Sequence, residues 1–93
     1  MTTLTAAETE LLPLFRVLAD ETRLKIVGLL ASEPRTGAQL AATLAVKPAA
    51  LAHHVDKLVE AGLISSRAEG QIRRYSLRLD GLRATAKRLL AME

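Results

Sequence analysis

A chain of 93 residues, 49% of them hydrophobic, carries enough apolar side chains for one core and too little length for two, so a single domain over residues 1–93 is expected. The absence of cysteine removes disulfide frameworks, thiolate metal sites, cysteine nucleophiles and thiol redox sensing together, because each needs the sulfur itself. Net charge is +3 and unevenly spread: residues 1–46 carry four bases and five acids, residues 47–78 six and three, and residues 79–93 three and two, so the basic excess lies in one region and suggests a polyanion-facing surface.

Eighteen Leu and sixteen Ala, with Phe15 and Tyr75 the only aromatics, favour helix over sheet. The N-terminal MTTLTAAETE has no basic region ahead of an apolar stretch, and no segment approaches the ~20 apolar residues that span a bilayer, so a cytoplasmic location and no membrane partner are expected. A chain this short sits near the low end of what folds alone; a core shared between subunits would add buried area.

In chain order, a first helix is predicted from about Thr5 to Ala19, with Leu4, Leu11, Leu14, Phe15 and Leu18 at helical spacing and Pro13 either starting or kinking its main part. Asp20 can cap a second helix, about Glu21 to Ser32, whose Leu24, Ile26, Val27, Leu29 and Leu30 leave little polar surface and mark it as core. Thr36-Gly37-Ala38-Gln39 has capping-box spacing and opens a short helix from Gly37 to about Leu44. After Ala45, Val46 and Lys47, Pro48 suits the first turn of a fourth helix, which runs to about Ala61 and ends at Gly62. Leu51, Val55 and Leu58 line one face of it, while Ala49, Ala50, His53, Asp56, Lys57 and Glu60 form the opposite face. Leu63–Arg67 and Ile72–Leu77 read as two strands turned at Gly70. A last helix, about Asp80 to Met92, places Leu82, Ala86, Leu89 and Leu90 on one side and needs a partner to cover them.

Two short helices joined by a tight turn, followed by a basic hairpin, form a winged helix-turn-helix of order α1-α2-α3-α4-β-β-α5, mainly helical with a small β-hairpin wing. The helix after the turn fits the major groove, and the hairpin reaches backbone or minor groove. Leu18-Ala19-Asp20-Glu21-Thr22-Arg23-Leu24-Lys25-Ile26-Val27, His53-His54-Val55-Asp56-Lys57-Leu58-Val59-Glu60-Ala61-Gly62-Leu63-Ile64 and the wing Arg67-Ala68-Glu69-Gly70-Gln71-Ile72-Arg73-Arg74-Tyr75-Ser76-Leu77 lie in the order and spacing of the ArsR/SmtB repressors. The chain resembles that family over roughly residues 12–79. The resemblance implies a homodimer through the first and last helices, with Leu4, Leu11, Leu14, Phe15, Leu18, Leu82, Ala86, Leu89 and Leu90 at the interface. It also implies a pseudo-palindromic operator with half-sites near one helical turn apart, and repression by occluding a promoter.

The departures from that family are informative. Ala50 and Ala52 stand where members usually carry Ser or Thr, and Lys47 where they carry a Ser cap, which leaves methyl contacts with thymine in place of hydroxyl readout. His53 is the best base-edge candidate, with Lys57 on the same side for phosphate, and His54 at the stripe's edge is a structural or phosphate-contacting histidine. Arg73 and Arg74 alternate across their strand, so one faces DNA, and Arg67 and Gln71 are further wing candidates. Thr36 and Gln39 are capping residues whose helix N-terminus could hold a phosphate. The family's thiol sensors are excluded by the missing cysteine, and its zinc site on the last helix lacks the histidine, residues 79–93 holding only Asp80 and Glu93 as candidate ligands. His53 and His54 project about 100° apart and cannot chelate one ion. No cofactor and no metal are expected, and a small-molecule inducer, a partner protein or no inducer are all open.

Nothing in the chain suggests an enzyme, since there is no Gly-rich phosphate loop and no carboxylate pair beside a histidine; two aromatics are too few to grip single strands. The rival to a double-stranded DNA-binding regulator is a protein-interaction module built on the same fold.

Overall fold

The computed structural model describes residues 2–91, and within that span the side chains of Ala7, Leu82, Thr85 and Leu89 are not described. Its elements are α1 (Ala6–Leu18), α2 (Glu21–Ser32), β1 (Arg35–Thr36), α3 (Gly37–Leu44), α4 (Pro48–Glu60), β2 (Ile64–Glu69), β3 (Ile72–Leu77) and α5 (Leu79–Leu90).

The starts of α1, α2 and α3 are each fixed by a side chain that satisfies an orphan backbone N–H. Thr5 Oγ1 accepts from the Glu8 amide at 3.2 Å while Glu8 Oε1 accepts from the Thr5 amide at 2.8 Å, a capping box that opens α1 well before Pro13. Pro13 therefore lies inside one continuous helix rather than at its start. Asp20 Oδ1 accepts from the Arg23 amide at 3.0 Å and opens α2. Thr36 and Gln39 make the second capping box, at 3.1 and 2.9 Å.

The ends of α3 and α4 use the left-handed conformation. At the end of α4, the Leu63 amide bonds the Leu58 carbonyl and the Gly62 amide the Val59 carbonyl, with Gly62 at φ +76°, the Schellman arrangement in which glycine avoids a Cβ clash. The same pair of bonds closes α3, from Val46 to Ala41 and from Ala45 to Ala42, but here the left-handed residue is Ala45, at φ 55° and ψ 43°.

The sheet holds three antiparallel strands in the order β1-β3-β2. The hairpin β2–β3 pairs Ile64 with Leu77 through Glu69 with Ile72, and β1 adds Arg35 opposite Tyr75 and Thr36 opposite Arg74. The sequence reading has no β1, and it ends β2 two residues early. The core joins Ile26 and Leu30 of α2, Leu40 and Ala41 of α3, Leu51, Val55 and Leu58 of α4, Leu63, Ile64 and Tyr75.

Two expectations are corrected. Leu24 is 58% exposed, because a helix turns about 100° per residue and Leu24 falls well away from the Ile26–Leu30 side of α2. Leu11, expected at a subunit interface, is 1% exposed inside the protomer and has no surface left to offer. Gly81, in the first turn of α5, sits on the α4–β2 corner: a Cβ there would stand 2.5 Å from the Gly62 carbonyl oxygen. Farther along, Arg88 of α5 pairs with Glu10 of α1.

Candidate nucleic-acid interface

Helix α4 is held by its apolar side, where Leu51, Val55 and Leu58 are buried. Pro48 occupies its first position and Lys47 precedes it in an extended conformation, its side chain making no capping bond. The other side presents Ala49, Ala50, Ala52, His53 and Asp56 to solvent. Among the described residues Lys47 makes no ion pair, and His53 makes only a tilted ring contact with His54, centroids 5.9 Å apart.

His54 turns the other way. Its Nδ1 accepts from Arg23 Nε at 3.1 Å, so the neutral ring carries its proton on Nε2. Arg23 also donates to the Val17 carbonyl at 3.3 Å, and Asp20 Oδ1 lies 3.9 Å from the same histidine nitrogen. The cluster ties α4 to the α1–α2 corner. The Arg23 amide hydrogen bond, with the nearby Arg23 charge, holds the Asp20 carboxyl below its ordinary value against the opposing pull of desolvation. The histidine partner of Arg23 lies 31 residues away, and no local signal in the sequence announces it.

Lys57 stands one turn beyond His53 on the same side of α4. It lies in a groove with Pro13, Leu14 and Val17 of α1, and its Nζ is 3.8 Å from Glu60.

On the wing, Gly70 at φ +64° makes the turn. Alternation along β3 puts Arg73 on the face of Tyr75 and Arg74 on the opposite one. Arg73 Nη1 donates to Ser66 Oγ at 2.8 Å, whereas Arg74 Nε is held by both oxygens of Glu69 at 3.2 Å. Arg67, opposite Arg74 in the ladder, is exposed and makes no ion pair among the described residues. Thr36, Gln71 and Arg73 line one groove at the start of α3, while Gln39 is engaged in capping. The structure thus gathers Lys47, Ala50 and His53 on α4, with Lys57 one turn beyond His53, and Thr36, Gln71 and Arg73 beside the wing, while His54 and Arg74 are engaged by Arg23 and Glu69. Among the described residues no group of three or more His, Asp or Glu side chains is placed to hold a metal ion.

Of the expected interface residues, Leu4 ahead of α1 and Phe15 and Leu90 on the terminal helices are exposed, Leu14 and Leu18 half-buried and Ala86 exposed; the side chains of Leu82 and Leu89 lie outside the described residues. No described helix is long and apolar enough to cross a membrane.

Two helices at a tight turn with a strand hairpin beside them define the winged helix-turn-helix class. A family model described as a helix-turn-helix domain matches residues 18–67. The "ArsR-like Transcriptional Regulator" of Rhodococcus sp. RHA1 superposes with a TM-score of 0.84 at 32% identity, over 95% of this chain and 83% of that one. A structure named "Possible transcriptional regulator for arsenical resistance" gives 0.77 at 34% identity, over 86% and 83%. A "Probable mercury resistance operon repressor" of Streptomyces lividans is 35% identical over 63 residues, 68% of this chain and 50% of the relative. The chain belongs to the ArsR family of winged helix-turn-helix transcriptional regulators, a family of regulators and not of enzymes. It spans about half the length of the curated relatives it matches.

Proposed function

We propose that the protein is a dimeric repressor that binds double-stranded DNA through α4 and the wing and occludes its promoter. The observation that carries this reading is the open side of α4: Ala49, Ala50, Ala52 and His53 face solvent with Lys47 at the helix start, and Arg67, which makes no ion pair among the described residues, stands on the neighbouring hairpin. A helix of this kind fits the major groove, the cations lie against phosphates, and the alanine methyls meet thymine methyls. Phe15 and Leu90, exposed on the terminal helices, and Leu4, exposed just ahead of α1, supply the apolar surface a second copy would cover. A two-fold dimer then meets a pseudo-palindromic operator with its two α4 helices in successive major grooves.

The test is fluorescence anisotropy with DNA from upstream of the protein's own coding sequence against a scrambled duplex, across a salt series. Preference for the upstream DNA and a steep fall of affinity with salt are expected, and Lys47→Ala and Arg67→Ala should each lower the salt slope by roughly one. The lack of any hydroxyl or amide on the α4 solvent side favours one other reading, a protein-interaction module. Equal, weak binding to both duplexes would select it.

A further inference from the structure

The geometry points to a second site: the cavity between α3, α4 and β3 binds a neutral molecule of one or two rings carrying a single hydrogen-bonding group. The cavity measures about 300 Å³. Small residues create it, Gly37, Ala38 and Ala41 on α3 facing Ala52 and Val55 on α4, and Tyr75 of β3 completes its wall. A cavity of about 150 Å³ accepts benzene, so this one has room for a fused pair of rings. No charged side chain lines it, and a charged occupant would lose its hydration without compensation.

Tyr75 supplies the polar handle. The residue is 8% exposed: its ring is buried against the cavity while its hydroxyl, which makes no hydrogen bond to protein among the described residues, reaches solvent and is free to meet a ligand. Burial pushes the phenol above its ordinary value, with Asp56 of α4 adding to the effect and Arg73 of β3 opposing it. The hydroxyl therefore stays protonated at neutral pH, able both to donate to a ligand oxygen and to accept from a ligand N–H or O–H. An occupant would wedge between the two helices of the helix-turn-helix and displace α4. This regulatory consequence rests on the reading of α4 as the DNA-facing helix; the binding itself does not.

The ¹⁵N-labelled protein would be titrated with 2-naphthol, naphthalene and benzoate. Saturable shifts at Gly37, Ala38, Ala52 and Tyr75 are expected with the two neutral compounds and none with benzoate. Ala52→Leu, which projects into the cavity from an exposed position, should weaken 2-naphthol at least tenfold. Gly37→Ala is a gentler second variant, its added Cβ 3.6 Å from the Tyr75 ring and 3.8 Å from Leu51, and it should also weaken binding. Tyr75→Phe should weaken 2-naphthol severalfold and leave naphthalene unchanged. Non-saturating shifts, benzoate binding equal to 2-naphthol, or unaltered affinity in both filled variants would overturn the site.

In the anisotropy assay, 2-naphthol should lower affinity for the upstream DNA at least fivefold in the native chain and less in Gly37→Ala. Occupancy by NMR without any effect on bound DNA would overturn the regulatory role. Failure to bind DNA even without naphthol would instead sink the functional reading, and the titration would still decide the cavity.

Discussion

Ala45 holds a left-handed conformation, φ 55°, that costs an L-residue roughly 1–2 kcal/mol and a glycine almost nothing. Ala45→Gly should therefore stabilise the fold by about 1 kcal/mol, less the extra entropy of the unfolded glycine, and raise the melting temperature by several degrees; a lower midpoint would show that strain at this corner is not what limits α3. Asp20 gives a pH test. Its folded-state pKa lies below the ordinary 3.8, so its stabilising contribution is fully present above that value and disappears as pH falls through the folded-state pKa. Asp20→Asn keeps a capping side chain but removes the titration, so the urea midpoint of the variant should fall less steeply below about pH 4 than that of the native chain. Both capping boxes depend on residues three apart, and the one at Thr36 is legible in the sequence for that reason. Ala45 is not, because Leu44-Ala45-Val46 carries no glycine or asparagine to mark a left-handed turn; the closing bonds of α3 impose it.

Among the elements, α4 was the most legible, since Leu51, Val55 and Leu58 announce its buried side and Pro48 and Gly62 its ends. Leu58 is fully buried, and Leu58→Ala should cost about 2–5 kcal/mol in urea unfolding, the transfer of its methyls plus the void left behind. A cost near zero would mean that α4 is not anchored by this stripe. The strand β1 was illegible because two residues after Pro34 show no alternation; they become a strand only because β3 offers them an edge. Helix α2 failed in the opposite way. Its five aliphatic residues suggest burial all round, but the neighbours cover only the Ile26–Leu30 side and leave Leu24 in solvent. The site shows the same limit: which residues share α4 could be read from the chain, whereas Lys57 leaning on α1 and His54 bound to Arg23 depend on contacts between distant segments.

The whole molecule is elongated, with extents of 47 × 24 × 19 Å, and each terminal helix carries exposed apolar side chains, Phe15 at 43% on α1 and Leu90 at 73% on α5. If these surfaces meet in a dimer, stability depends on protein concentration, because association and folding are linked. Doubly substituted Phe15→Glu, Leu90→Glu protein should sediment as a monomer, and its melting temperature should no longer rise with concentration; a dimer that survives both changes would relocate the interface. The amphipathic last helix was legible in sequence, but its partner was not, since no periodicity says what covers an apolar stripe. The alanines on the open side of α4 have a further thermodynamic consequence. An alanine has no rotamers to freeze on contact, whereas a serine, asparagine or arginine in the same place would surrender side-chain freedom. A partner docking on this face would thus gain little heat from hydrogen bonds and lose little disorder from the protein. Calorimetry should find a negative heat-capacity change, that of methyl groups leaving water, as its chief signature.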